Sequence, residues 1–266
     1  MRVAVLGSTG MLGWAVVSFL KQKHTVLASH RDLSQAKKKG HFFLDVSNSC
    51  DLSMIPDVDY VINCIGAISH NPNSSPELYD LINARFPWML SNECAKRSIR
   101  LIHVTSDCVF SGKVGKYVET DVHDPVDLYG ASKSAGEPRD CMVIRTSIIG
   151  EEHRGKFNLL EWFKNQQSKS VFGYTNHFCN GLTTRAYADM CDQIMSRDLY
   201  QRGTWHVFSE TKSKFEMLVS FKQKYRLETN IVPTESPTWV DRTLDTVYPL
   251  QSRLSIVGYQ EMIEQL

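Results

Sequence analysis

The chain opens on a strand, a glycine loop and a helix. An apolar run at residues 2–6 leads into Gly7, Gly10 and Gly13, and residues 11–20 carry apolar side chains at helical spacing. Glycines so placed permit a tight turn and close backbone approach, so the loop amides and the helix's first turn can receive a pyrophosphate. A glycine triplet alone is a weak sign, because glycines end many strands. At the first strand–helix turn of an alternating chain it predicts dinucleotide binding by Gly7, Thr9, Gly10, Met11, Leu12 and Gly13. The alternation continues with strand-like runs at 25–29, 42–45, 59–65, 101–104 and 142–145, and helical patterns at 75–96 and 129–137. The β-branched run at 59–65 is of the kind buried in parallel sheets. This spacing predicts right-handed βαβ units in a doubly wound parallel sheet, an α/β fold of Rossmann type.

Beyond Gly150 the pattern loosens. Helices are expected at 157–167, 187–195 and 214–225 and a returning strand at 204–208, while 231–248, with Pro233 and Pro237, reads as loop. A chain of 266 residues can bury a large core. Thirty basic against twenty-nine acidic residues argue against a nucleic-acid surface, and Lys37, Lys38 and Lys39 read as a solvated helix end. Seven cysteines without a CxxC pair suggest neither a disulfide framework nor a zinc site, and fit a reducing cytosol. Glycines interrupt the apolar N-terminus, which argues against an export signal, and no other run nears the ~18 apolar residues that span a bilayer. A cytoplasmic protein without membrane, nucleic-acid or metal partners is expected; a homodimer is left open.

At the end of the second strand stand Ser29, His30 and Arg31, where NAD sites usually place a ribose-binding acid. His30 and Arg31 join the cofactor set, Arg31 as partner of a 2′-phosphate, and the cofactor is read as NADPH. The alternative is a surface arginine with Asp32 as a displaced ribose acceptor. Downstream, Thr105 and Ser106 close a strand, and Tyr129 and Lys133 lie four apart, on one helix face. A free tyrosine with a pKa near ~10 is a poor acid–base group at neutral pH, and an adjacent ammonium is expected to lower it.

These residues sit in a larger pattern: Thr105-Ser106-Asp107-Cys108-Val109-Phe110-Ser111-Gly112, then Tyr117, Glu119, Asp121, Pro125, Tyr129, Gly130, Ser132, Lys133, Gly136 and Glu137. Leu44-Asp45-Val46, Val61-Ile62-Asn63, Asn83 and Ile144-Arg145-Thr146-Ser147 extend it. The sequence resembles the extended short-chain dehydrogenases/reductases, most closely the dTDP-4-dehydrorhamnose reductase family, over roughly residues 1–190. The resemblance implies reduction of the C4 keto group of a nucleotide-linked 4-keto-6-deoxysugar by NADPH, in deoxysugar or polysaccharide biosynthesis. Tyr129 would protonate the C4 oxygen, Lys133 would bind the nicotinamide ribose and depress the Tyr129 pKa, and Ser106 would hydrogen-bond the carbonyl. Asp45 and Val46 would lie beside the adenine, and Cys64, Ile65, Gly66 and Thr105 would line the cofactor. Asn83 would support the site. The implied halves are a Rossmann domain of 1–149 plus about 180–208, and a smaller, loop-rich substrate lobe of about 150–179 plus 209–266. Substrate contacts are expected from Asp107, Cys108, Asn176, His177 and Trp239.

The chain departs from the family at four places. Cys108 replaces an aromatic residue, and Ala15 replaces an acid that helps some relatives bind metal, so no metal is expected. Asp241-Arg242-Thr243-Leu244 only echoes a basic substrate-binding element, and residues 66–75 lack the usual pattern. Sugar-nucleotide 4,6-dehydratases carry an acid where Cys108 stands, which disfavours dehydration. Bifunctional 3,5-epimerase/4-reductases carry a cysteine near this strand end, so epimerisation by Cys108 is the alternative to Cys108 as packing. A non-catalytic dinucleotide-binding regulatory subunit is the rival from another class. His103, alternating with apolar residues on a strand, reads as structural.

Overall fold

A computed structural model describes residues 1–48, 50–68, 74–153 and 157–266. The first half alternates as expected: β1 (Arg2–Leu6), α1 (Met11–Leu20), β2 (Thr25–His30), α2 (Leu33–Lys39), β3 (Phe42–Phe43), β4 (Tyr60–Asn63), α3 (Pro76–Tyr79), α4 (Phe86–Lys96), β5 (Arg100–Thr105), α5 (Leu128–Ala135) and β6 (Met142–Arg145). There follow β7 (Ile148–Ile149), α6 (Leu159–Lys164), β8 (Ser170–Tyr174), β9 (His177–Cys179), β10 (Leu182–Thr183), α7 (Thr184–Ser196) and β11 (Gly203–His206). The chain closes with β12 (Lys212–Ser213), α8 (Lys214–Tyr225), β13 (Asn230–Thr234), β14 (Val240–Asp241), α9 (Leu250–Arg253) and α10 (Tyr259–Glu264).

Seven strands form one sheet in the order β11-β6-β5-β4-β1-β2-β3, and every pairing is parallel. This is the doubly wound Rossmann arrangement. The period-two alternation of β1 divides its side chains between two cores. Val3 and Val5 pack with α1 and α7, and Ala4 and Leu6 pack with α4 on the opposite face. Strand order reverses between β1 and β4, which opens the crevice at the strands' carboxyl ends where such sheets take ligands. Among the described residues no helix is long and apolar enough to cross a membrane.

Three features depart from the sequence reading. The helix expected at 75–96 contains a π-helical turn, Asp80–Arg85, between α3 and α4. Strands β8 and β9 were not foreseen, and the supposed loop 231–248 contains β14 and most of β13. Pro233 is tolerated in β13 because that strand is an edge, paired with β8 alone. The β8–β13 and β12–β9–β14 sheets are small and stand apart from the central sheet.

Candidate active site

The glycine loop lies at the switch point of the sheet. Gly7 has φ +74°, and a Cβ there would lie 3.0 Å from the backbone of Cys64 and Ile65. A Cβ on Gly13 would lie 2.2 Å from the Gly7 carbonyl oxygen, so only glycine lets α1 approach the loop this closely. Among the described residues no side chain caps α1 at Gly10, so the first-turn amides of α1 can face an anion. Thr9 is half-buried beside them. The cradle has the form a pyrophosphate requires.

Ser29 ties β2 to the loop, its hydroxyl accepting from the Gly7 amide (3.0 Å) and its carbonyl from the Ser8 hydroxyl (2.5 Å). His30 is buried, and its Nδ1 accepts from the Asp32 amide (3.0 Å). Asp32 caps α2 through Oδ1, which accepts from the Ser34 hydroxyl (2.7 Å) and the Gln35 amide (3.0 Å). Arg31 is exposed and makes no ion pair among the described residues. Asp45 closes a local turn with the Ser47 amide (2.9 Å) and Asn48 side chain (2.7 Å), and Val46 is buried. Cys64, Ile65 and Gly66 follow β4 at the rim of the crevice, where burial pushes the Cys64 thiol far up.

Asp127 starts α5, accepting from the Gly130 amide at 2.7 Å. A Cβ on Gly130 would lie 2.3 Å from the Cys108 carbonyl, so the helix rests directly on the turn after β5. Lys133, on the Tyr129 face of α5, is buried and donates from Nζ to the Val104 carbonyl at 3.0 Å. Burial lowers its pKa to about 8, with Glu137 acting to raise it. Tyr129 is partly exposed, yet burial, and next Cys108, push its phenol above the ordinary range, against a hydrogen bond with Ser106. The expected depression of the Tyr129 pKa by Lys133 is therefore corrected. Burial raises the phenol, the Lys133 ammonium is directed to the Val104 carbonyl, and Tyr129 is protonated at neutral pH.

The Ser106 hydroxyl donates to Asp107 (3.1 Å) and accepts from the Cys108 amide (3.1 Å). Asp107 also accepts from the Ser147 hydroxyl. Burial, then the Asp107 charge, push the Cys108 thiol up to about 12, while Ser106 and Arg242 oppose them. The Thr105 hydroxyl points at the Lys133 carbonyl (3.5 Å). Asn83, buried in the π turn, bonds both the amide and the carbonyl of Ala67 (2.9 Å each) and the Ser132 hydroxyl (3.1 Å). His103 is structural as expected. It accepts from Asn63 (3.0 Å), donates to the Gly136 carbonyl (3.1 Å), and is held neutral by burial and by Lys133.

The structure thus gathers Ser106, Asp107, Cys108, Tyr129 and Lys133. The other expected substrate contacts lie elsewhere on the chain. The Asn176 side-chain amide bonds both backbone groups of Ser236 (2.8 and 2.9 Å). His177 bonds the Thr238 carbonyl (2.9 Å), packs at a tilt against Tyr174, and neighbours the exposed Trp239 in the register of β9 with β14. Of the atypical segment 66–75, residues 69–73 lie outside the described residues. One neighbour, Tyr79, was missed from sequence, and another, Arg242, was noted only as an echo of a basic substrate-binding element. Tyr79 sets its ring edge-on to Tyr129 at 6.2 Å, and Arg242, brought in by β14, bonds the Phe110 carbonyl (3.1 Å) near Cys108. Tyr79 carries no spacing signal.

A parallel Rossmann sheet with a glycine cradle at its switch point and a Tyr–Lys pair beside a strand-end serine is the architecture of a short-chain dehydrogenase/reductase. The family model described as the RmlD substrate binding domain matches residues 1–261, and the chain belongs to that family. It is 32% identical over 166 residues to a dTDP-4-dehydrorhamnose reductase of Mycolicibacterium smegmatis, covering 56% of this chain and 46% of that one. The match thus spans about half the length of the reductase relatives. A methionine adenosyltransferase 2 subunit beta of Mus musculus is 26% identical over 89% of this chain and 76% of its own. The fold superposes, with a TM-score of 0.80 and 18% identity over 99% and 97% of the two chains, on a dTDP-4-dehydrorhamnose reductase from Bacillus anthracis solved with NADP.

Proposed function

We propose that the protein is an NADPH-dependent reductase of the C4 keto group of a nucleotide-linked 4-keto-6-deoxysugar. The meeting of Tyr129, Ser106 and Lys133 at the crevice of the sheet carries this reading, and the likeness to dTDP-4-dehydrorhamnose reductases supports the substrate class. In this reading residues 1–149 with about 180–208 serve the cofactor, and about 150–179 with 209–266 the sugar nucleotide. The dinucleotide, when bound, would supply hydride to the carbonyl carbon. Tyr129, kept protonated by burial, donates its proton to the oxygen as negative charge develops there. Ser106 gives that oxygen a second donor by turning its hydroxyl from Asp107. The Lys133 ammonium stabilises the tyrosinate left behind. Incubation with NADPH and dTDP-, UDP-, GDP- or CDP-linked 4-keto-6-deoxysugars should consume NADPH with at least one of them. No consumption with any, by protein that binds NADPH, would sink the reading.

NADPH is favoured over NADH because Arg31, at the end of β2, is exposed and unpaired among the described residues. A charge-assisted contact to phosphate is worth about 1.5–3 kcal/mol, roughly ten- to a hundred-fold. Arg31→Ala should weaken NADPH by that factor and leave NADH unchanged, as read by fluorescence titration. Equal affinities in the unaltered protein would refute the assignment.

Plain reduction is favoured over additional epimerisation by the protonated Cys108 thiol. A base for C3 or C5 needs the thiolate, which burial and Asp107 oppose. With 4-ketosugar and unreactive NADP⁺ in D₂O, no deuterium should enter C3 or C5. Uptake that vanishes in Cys108→Ser would reverse this choice.

The second reading is a dinucleotide-binding regulatory subunit, favoured by the near-full-length match to a methionine adenosyltransferase beta subunit. It requires NADPH binding without turnover of any ketosugar, together with co-sedimentation with a methionine adenosyltransferase catalytic chain.

A further inference from the structure

Between the turn after β4 and the catalytic helix runs a line of buried hydrogen bonds to which the reaction above gives no part. Its middle is a pair of side chains on neighbouring strands: Asn63 ends β4 and stands opposite His103 on β5, both buried. At one end Oδ1 of Asn63 accepts from the Ile65 amide at 3.1 Å. Asn63 Nδ2 donates to His103 Nδ1 at 3.0 Å, and His103 Nε2 donates to the Gly136 carbonyl at 3.1 Å, where α5 ends. We infer that Asn63 and His103 are positioning residues: together they form a rod that fixes the turn at Ile65 against the helix carrying Tyr129 and Lys133. This rests on the reductase reading above, in which residues 64–66 line the dinucleotide and α5 supplies the proton.

The rod has a single polarity, imposed from its two ends. A backbone amide only donates and a backbone carbonyl only accepts. The Ile65 amide therefore turns Oδ1 of Asn63 toward itself and Nδ2 toward the ring. The Gly136 carbonyl requires a proton on Nε2 of His103, which leaves Nδ1 bare to accept from Asn63. Only the neutral ring fits, because a proton on Nδ1 would set two donors face to face. Burial, and next the Lys133 charge, hold the ring neutral. A carbonyl at a helix C-terminus has no partner within the helix, so the bond from His103 also fastens the end of α5.

That end matters to the chemistry because the Gly136 amide bonds back to the Lys133 carbonyl at 3.2 Å, and Lys133 Nζ reaches Val104, the neighbour of His103. A second tie runs alongside. Asn83 bonds both Ala67 and Ser132, and the Ser132 hydroxyl donates to the Tyr129 carbonyl at 2.7 Å. One tie leaves a helix free to pivot about it; two ties, at Ser132 and at Gly136, fix its position and its tilt. Reduction needs both, since hydride and proton must converge on one carbonyl group, and a misplacement of about 1 Å costs roughly 10²-fold.

Amide hydrogen exchange, followed by NMR in ¹⁵N-labelled protein without substrate, tests the rod from each end. His103→Phe leaves the bond between Asn63 and Ile65 in place but frees the Asn63 side chain to rotate. The Ile65 amide should then exchange roughly two- to tenfold faster, the range for one net hydrogen bond. Asn63→Leu leaves His103 facing Gly136, yet the Gly136 amide should quicken by a like factor. The Trp14 amide, bonded to the Gly10 carbonyl at 2.9 Å, is the reference and should keep its rate in both variants. In ketosugar reduction each variant should lose on the order of 10²-fold in kcat, with the KM for ketosugar holding. His103→Gln, which offers one acceptor and one donor, should recover part of both changes. Because each single change strands a buried polar group, the double change Asn63→Leu with His103→Phe is measured too, since apolar replacement of both partners spares the fold. Its kcat should match the worse single variant, because the rod can be broken only once. Loosening confined to the end that each substitution touches overturns the proposal, and so does a folded variant with the kcat of the unaltered protein, the signature of a merely structural role. Exchange that responds across the rod in a protein that reduces no ketosugar leaves the rod standing and discards the function alone.

Discussion

Tyr129→Phe should lose at least ~10²-fold of NADPH-dependent ketosugar reduction, the lower bound for a positioned general acid. The loss corresponds to about 2.7 kcal/mol of transition-state stabilisation. Phenylalanine keeps the ring that meets Tyr79 edge-on, so packing is preserved while the proton donor is gone. The fall should appear in kcat, because the missing interaction strengthens only as the oxygen gains charge. Dinucleotide affinity should hold, since Lys133 keeps its bond to the Val104 carbonyl in the variant. Ser106→Ala should cost less, because Ser106 shares the oxygen with Tyr129 and must first leave Asp107. An undiminished rate in Tyr129→Phe, with the protein folded, removes Tyr129 from the chemistry.

The central sheet was legible in the sequence for a physical reason. Parallel strands buried on both faces need near-continuous apolar runs, and β1, β4 and β6 are such runs, fully buried but for Arg2. The helix α8 also fell where its periodicity placed it, and its capping box of Ser213 and Glu216 explains the sharp start. What escaped was structure decided by distant partners. Strand β8 is half-buried and short, contains Gly173, and forms only because β13, some sixty residues on, lies beside it. The π turn at Asp80–Arg85 is marked in the sequence by Pro87 alone, which interrupts the helical pattern at the start of α4 and does not by itself specify a π turn. Within the site, the Tyr129–Lys133 spacing was readable, but the sign of the Tyr129 shift was not. Spacing puts the two residues on one helix face; it does not reveal the desolvation that raises the phenol. The rod of Asn63 and His103 was equally hidden, because it joins a helix end to two strands far apart in sequence.

The π turn and the catalytic helix meet at Gly136, and this contact makes the largest structural demand in the site. A Cβ on Gly136 would lie 1.7 Å from the Asn83 carbonyl oxygen and 3.3 Å from the Ala84 Cα, both backbone atoms that no rotamer can move. Gly136→Ala must therefore separate α5 from the π turn. Such overpacking costs roughly 1–3 kcal/mol, at about 2–4 °C of Tm per kcal/mol for a domain near this size. The displacement reaches the chemistry because Asn83 also grips Ser132, the neighbour of Lys133, at 3.1 Å. A shift of about 1 Å in a positioned acid is enough for roughly 10²-fold in rate, so activity should fall beyond what the lost stability explains. Gly66→Ala is the control for stability, since its Cβ would meet the Asn83 side chain at an ordinary 3.7 Å and should leave Tm near that of the unaltered protein. If Gly136→Ala melts and turns over like the parent, α5 does not depend on this contact, and the π turn has no part in placing Tyr129 and Lys133.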